Sequence, residues 1–222
     1  MKIATWNLER PKTTSSKLGE ITSKLRQLDA DLYVLTETND CINLSSNFYY
    51  YHSEILPAAY YKSGERRITI ISKFPAEEIL SVYNAQTCLA ITFQSPLGRL
   101  IAYGTITGIF GNRRADFLSE LDLQIQDWIN LNNDNLLIAG DLNMSFSDNY
   151  YFTNLGRQKF VNTFKKLNLI NLTENVPQNI DHIIISRKIM MSKSYTVETW
   201  NLDKRLSDHI GLCVEIIDSP SQ

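Results

Sequence analysis

The chain is short of cysteine, of net charge and of long apolar runs, and each shortage closes off a class of protein. Its 222 residues hold three cysteines, Cys41, Cys88 and Cys213. They are odd in number and widely spaced, with no C-x-x-C pair and no neighbouring histidine to complete a zinc set. A disulfide scaffold and a zinc module are both excluded. Cys88 and Cys213 stand inside apolar runs, where a small buried thiol is the expected role. Lys plus Arg number 22 against 24 for Asp plus Glu, a net charge of −2, so no whole-molecule positive field exists to hold a polyanion. Any phosphate recognition must be local. No stretch approaches the roughly 18 apolar residues of a membrane span, and the run from Met1 to Arg10 contains no signal-type segment. These features predict a cytoplasmic protein with no membrane-spanning segment. The phosphate-binding G-x-x-x-x-G-K-[ST] loop, the G-x-S-x-G elbow and dinucleotide-type glycine spacing are also missing.

What is present is a mixed α/β pattern. Hydrophobic residues at 43% and charged residues at 21% are ordinary for a globular chain that buries a real core. Ile3 to Trp6 reads as a strand. Leu18, Ile21, Leu25 and Leu28 then recur at spacings of three, four and three, the period of a helix with one buried face. Strands are predicted at Leu32–Leu35, Ile68–Ile71, Leu89–Phe93 and Leu100–Tyr103, with a polar, tyrosine-rich loop before the second of them. The second half repeats the layout, with a helix over Phe117 to Ile129, a strand at Leu136–Ala139 and a helix over Leu155 to Leu167. Strands at Ile183–Ile185, Tyr195–Val197 and Leu212–Ile216 finish the chain. No Pro/Gly/Ser linker divides the halves, so residues 1–222 are expected to form one α/β domain, two sheets face to face with helices outside.

The polar residues fall at strand ends, where sites are built. Asn7 follows the first strand, Glu37 the second, Asp141 and Asn143 the strand ending at Gly140, and Asp208 and His209 precede the last. Carboxylates and amides gathered at one sheet edge repel unless a cation holds them, and oxygen donors suit Mg²⁺ or Mn²⁺. Each motif also has a plainer reading. Gly140-Asp141-Leu142-Asn143 suits a turn, Glu37 a solvated loop acid, and His182, beside Ile183 to Ile185, a packed strand residue.

Thr5-Trp6-Asn7, Leu35-Thr36-Glu37, Gly140-Asp141-Leu142-Asn143, Ile180-Asp181-His182 and Ser207-Asp208-His209 together resemble the motifs of the endonuclease/exonuclease/phosphatase superfamily, in the same order and over residues 3–217. The resemblance implies a four-layer α/β/β/α sandwich, two mixed sheets packed face to face, and Mg²⁺-dependent hydrolysis of phosphate esters. It places Asn7, Glu37 and Asp208 at the metal, with Glu9 where some nuclease-like members carry an acid. It makes Asp141 the residue that activates water, Asn143 the one that orients water and phosphate, and His209, held by Asp181, the contact to the scissile phosphate.

One motif departs from that pattern. Most members carry His or Tyr after the strand ending near Tyr103, and here Ile106 stands in Gly104-Thr105-Ile106-Thr107. The hydroxyls of Thr105 or Thr107 are candidate replacements, and Asn112, Arg113 and Arg114 candidate substrate-binding donors near a helix start. A non-catalytic module binding a phosphorylated ligand or a protein, or a phosphatase of inositol phosphates or lipids, is the competing reading. Near-neutral charge argues against a tight grip on duplex DNA. Local basic groups (Lys62 with Arg66 and Arg67; Arg113 with Arg114; Arg187 with Lys188) and the pairs Tyr60-Tyr61 and Tyr150-Tyr151 would suit unpaired nucleic acid or a small phosphodiester. Half-buried sheet positions are the alternative for those tyrosines.

Overall fold

Side chains alternate along the first strand, Ile3, Thr5 and Asn7 facing one way and Ala4 and Trp6 the other, and that alternation organises the molecule. The computed structural model describes residues 1–56, 62–132 and 135–219. Its first half runs β1 (Lys2–Asn7), α1 (Lys17–Leu28), β2 (Leu32–Asn39), β3 (Tyr49–His52), β4 (Glu65–Ser72), β5 (Ala76–Leu80), β6 (Cys88–Ser95) and β7 (Gly98–Ile106). The second half runs α2 (Phe117–Leu131), β8 (Leu136–Asp141), α3 (Asn154–Lys166), β9 (Leu169–Asn171), β10 (Asp181–Ser186), β11 (Lys193–Trp200) and β12 (Gly211–Asp218).

The strands form two six-stranded sheets, in the orders β11-β12-β1-β2-β4-β3 and β5-β6-β7-β8-β10-β9. Each contains a parallel pair made by a helical crossover, β1 with β2 through α1 and β7 with β8 through α2. The sheets face each other across a core of Ile3, Val34, Ile68, Ala102, Ala139, Ile183 and Val214. On the outside of the first sheet, Ile21, Leu25 and Leu28 of α1 bury against Trp6, Tyr33 and Leu35. On the outside of the second, Phe117, Leu121 and Trp128 of α2 and Phe160 and Phe164 of α3 pack on Tyr103 and Ile138. Each such side chain contributes about 1.5–3 kcal/mol through burial. The architecture is the four-layer α/β/β/α sandwich. Among the described residues no helix is long and apolar enough to cross a membrane.

Three strands, β3, β5 and β9, add to those the hydrophobic pattern predicts, and β3 lies in the segment read as a tyrosine-rich loop. All three are sheet edges. An edge strand is laddered on one side and in β3 and β5 lies mostly open to solvent, so it lacks the apolar run that marks a strand buried on both faces.

Candidate active site

Strand alternation carries four positions into the gap between the sheets at one end of the sandwich. Asn7 continues the inward row of Ile3, Asp141 that of Leu137 and Ala139, Asp181 that of Ile183 and Ile185, and Ile106 that of Leu100 and Ala102. Asp141 is paired in register with Asp181 on one side and Ile106 on the other. Asn7 Nδ2 donates to Asp141 Oδ2 at 3.2 Å, joining the two sheets. Gly140 lets β8 lie against β7 in the register that brings Asp141 beside Ile106. Its φ is +130°, and a Cβ there would lie 2.1 Å from the Thr105 carbonyl oxygen, a contact no L side chain tolerates.

His209 comes from the loop between β11 and β12. Its Nδ1 lies 2.6 Å from Asp181 Oδ2, and its Nε2 is 4.0 Å from Asp141 Oδ2 and 3.5 Å from Asp208 Oδ1. Burial disfavours the imidazolium, but Asp181, Asp141 and Asp208 outweigh it and hold the His209 pKa well above the ordinary histidine range. Burial, with the nearby Asp181 charge, pushes Asp141 upward, while His209, the Asn143 N–H and the Asn7 amide pull it back. A cationic imidazole therefore stands between carboxylates at the floor of a cleft of about 270 Å³, walled by Asn143, Tyr150, Tyr151, Asn179 and Lys204.

The oxygen donors lie on the other side of Asn7. Glu37 has φ +47° and interrupts the ladder between the pairs Thr36–Ile68 and Thr38–Arg66. Arg10 Nε stands 3.2 Å from its Oε2. Glu9 N–H donates to Asn7 Oδ1 at 3.1 Å, and Glu9 Oε2 accepts from the Asp208 N–H at 3.2 Å. Asn7, Glu37 and Asp208 are thus tied to one segment, Glu9–Arg10, whose residues both have positive φ; left-handed non-glycine residues concentrated in one place are typical of functional sites. Among the described residues no group of three or more His, Cys, Asp or Glu forms a ready-made cage. Amide and carboxylate oxygens supplied singly fit Mg²⁺ or Mn²⁺, which keep waters and use one or two carboxylates together with substrate phosphate.

A model of the endonuclease/exonuclease/phosphatase family matches residues 4–209. The chain belongs to this family. No curated protein sequence matches it. An AP endonuclease from Archaeoglobus fulgidus superposes with a TM-score of 0.73 at 13% identity, over 97% of this chain and 98% of that one. The 3′ phosphatase NExo from Neisseria, bound to product DNA hairpin, gives 0.69 at 16%, over 98% and 99%. The endonuclease domain of TRAS1, a telomere-specific non-LTR retrotransposon, gives 0.68 at 16%, over 99% of both chains. At these identities the likeness is one of fold.

Within this endonuclease/exonuclease/phosphatase fold, the remaining candidate residues fall in several places. Asn143, at φ +48°, donates its N–H to Asp141 Oδ1 at 2.8 Å, and its Nδ2 is committed to the carbonyls of Thr107 and Gly108. Ile106 is buried in the inter-sheet core at 2% exposure. Thr105 and Thr107 face the other way, their hydroxyls meeting Cys88 Sγ and Gln124 Oε1, so they do not stand in for the missing His or Tyr. Arg113 and Arg114 are exposed beside a separate cleft shared with Thr153 and Asn154. The structure does not bring them beside His209. Arg66 is paired with Asp40, Arg67 is buried, and Arg187 lines a different cleft. Tyr60 and Tyr61 lie outside the described residues, while Tyr150 and Tyr151 sit on the loop after β8 rather than in a sheet.

Sequence reasoning missed the residues that hold His209. Asn201, at φ +57°, donates Nδ2 to the carbonyls of Ser207 and His209 at 2.8 and 2.7 Å. Trp6 Nε1 donates to the same His209 carbonyl at 3.0 Å. Ser207 Oγ accepts the His209 N–H and donates to the Asn7 carbonyl. Ser207 was legible as part of its motif. Nothing local distinguishes Asn201 from any loop asparagine.

Proposed function

We propose that the chain is a divalent-metal-dependent phosphoesterase, a phosphodiesterase or nuclease acting on nucleic acid or a small phosphodiester. The observation that carries this is the row Asn7, Asp141, His209, Asp181, running from one sheet to the other, with His209 and Asp181 lining the cleft. Asp141, its pKa raised by burial, takes a proton from the attacking water, whose oxygen adds to phosphorus as the bond to the leaving oxygen breaks. His209, kept cationic by Asp181, donates toward a phosphoryl oxygen where charge accumulates. Asn143 aims Asp141 through its main-chain N–H and pins the Thr107–Gly108 turn beside it. A cation held by Glu37 and Asn7, with Asp208 near, would supply Lewis-acid stabilisation of the phosphoryl oxygens.

Nucleic acid is favoured within this class because the similar folds include an AP endonuclease and a phosphatase bound to a DNA hairpin. A second cleft of about 290 Å³, which Glu9 and Arg10 also line, carries Lys12 and Lys17, positions suited to flanking phosphates. A silent binding module is the second reading, favoured by the apolar Ile106 beside Asp141.

The test is turnover of bis(4-nitrophenyl) phosphate, single-stranded and duplex oligonucleotides and inositol phosphates, with Mg²⁺, Mn²⁺ or EDTA. We expect turnover with either metal and none in EDTA. Asp141→Asn and His209→Ala should each lower kcat by about 10²-fold or more. Undiminished turnover in EDTA refutes the metal role, and inositol phosphates as the sole substrates refute the nucleic-acid reading. Ligand binding without turnover supports the silent module.

A further inference from the structure

The cleft that holds His209 is also walled by an aromatic ring that the hydrolytic machinery does not use. Tyr150 is 49% exposed, yet it is held from several directions. Its N–H donates to Asp148 Oδ1 at 3.0 Å, the other oxygen of Asp148 accepts the Gln178 N–H at 2.7 Å, and Arg157 donates to the Asp148 carbonyl. From across the cleft Lys204 Nζ donates to the Tyr150 hydroxyl at 2.7 Å and stands 4.6 Å from the ring centroid. Lys204 belongs to the loop that carries His209, and Tyr150 to the loop that follows Asp141 and Asn143. The ring is therefore fixed relative to both halves of the site.

An exposed aromatic side chain that is already immobilised loses little further entropy when a flat partner lies on it. Its hydroxyl accepts the lysine N–H and the ammonium lies over the ring on one side, which leaves the open half of the ring as the surface on offer. We propose that Tyr150, clamped by Lys204, is the specificity-determining surface that stacks the base of an unpaired nucleotide whose phosphate faces His209. The inference rests on the phosphoesterase reading for the place of the phosphate. The cleft, at about 270 Å³, lies at the small end of ligand pockets and suits one nucleotide unit rather than a base pair. A base within a duplex would have to leave its stack to reach the ring, so the substrate class is single-stranded or frayed nucleic acid.

The experiment compares the wild type with Tyr150→Ala, Tyr150→Phe and Tyr150→Leu on the dinucleotide TpT and on analogues in which a tetrahydrofuran abasic unit replaces each thymidine in turn. Stacking of one base is worth about 1–3 kcal/mol, which corresponds to a KM lower by about 5- to 150-fold for the base-bearing substrate. The wild type should show that preference toward one of the two positions. Tyr150→Phe, which keeps the ring and loses the hydroxyl that Lys204 holds, should keep the preference in weakened form, whereas Tyr150→Ala and Tyr150→Leu should bring the ratio to about one. A ratio near one in the wild type, or one unchanged in Tyr150→Ala, overturns the proposal. In parallel, calorimetry with thymidine 5′-monophosphate in EDTA should show at least about fivefold weaker binding to Tyr150→Ala. If no diester is turned over but this loss is seen, the hydrolytic reading fails and the stacking surface stands. Equal binding, or none to the wild type, overturns it. A Tyr150–Lys204 contact that only ties two loops together would lower the melting temperature of Tyr150→Ala while leaving base preference and nucleotide affinity unmoved, and that outcome also overturns it.

Discussion

Asp181 Oδ2 lies 2.6 Å from His209 Nδ1, and the other oxygen of the same carboxylate, Oδ1, is buried without a hydrogen-bond partner among the described residues. An unsatisfied buried oxygen costs about 1–3 kcal/mol, a cost that makes sense where the negative charge is needed to keep the imidazole cationic.

Asp181→Asn should therefore separate stability from chemistry. It preserves shape and removes the charge beside His209, so kcat should fall by about 10²-fold while the melting temperature stays level or rises. Steady-state kinetics and calorimetric melting check it. Unchanged kcat would assign Asp181 to structure alone.

Asn201 acts through His209. Asn201→Ala removes the donors that fix the Ser207 and His209 carbonyls, and we expect kcat to fall by about tenfold with KM changing less, because a displaced imidazole loses the transition state before it loses the substrate. Asn201→Asp, which keeps the acceptor for the Leu206 N–H but not the donors, should behave like the alanine variant. Equal losses in kcat and stability for any loop substitution nearby would remove the specific role.

Ile106→His tests whether the family's usual histidine can be restored. Ile106 is closed off from water at 2% exposure, and its neighbour Asp141 is already engaged by Asn7 and the Asn143 N–H, so denaturant unfolding should show a loss of about 1–3 kcal/mol. Ile106→Val should cost about 1 kcal/mol. A stable and more active Ile106→His protein would show instead that this position opens to the cleft.

His182 predicts a pH dependence of stability. It is fully buried, with Nε2 donating to the Met144 carbonyl at 2.8 Å and Nδ1 within reach of Asn171 and Thr173. Burial pushes its pKa down to about 4, whereas in the unfolded chain it titrates near 6.5. Between those values the unfolded state binds the extra proton, so this contribution is whole above about pH 6.5 and is lost as the pH falls toward 4. The total is about 3 kcal/mol. Urea midpoints measured from pH 7.5 to pH 4.5 should show it, and His182→Gln should flatten the curve in that interval.

The central strands and all three helices were legible because their signals are local. Leu136–Ala139 is a continuous apolar run since β8 is covered on both faces, and Ile21, Leu25 and Leu28 repeat with the helical period since α1 buries one stripe. The strands β3, β5 and β9 were not, because they are edge strands of only four, five and three residues, too short to show a period, whereas the longer edge strand β11 was. The candidate site was legible to the same degree. Asn7, Asp141 and Asp181 sit at strand ends on inward-facing positions that alternation alone assigns.

The sequence by itself determined the layers, the family and the row of polar residues at the strand ends, since side-chain period and motif order are properties of short segments. Only the tertiary structure decided which of those residues meet. Asn7 and Asp141 are 134 residues apart in the chain and touch because two sheets pack face to face. The same packing leaves Arg113 and Arg114 at a separate cleft, closes the core over Ile106, and brings Tyr150, one tyrosine among eleven, against Lys204 in the cleft that His209 lines. Such neighbours are set by where loops leave the sheet and which backbone donors remain to be satisfied, and no local pattern records either.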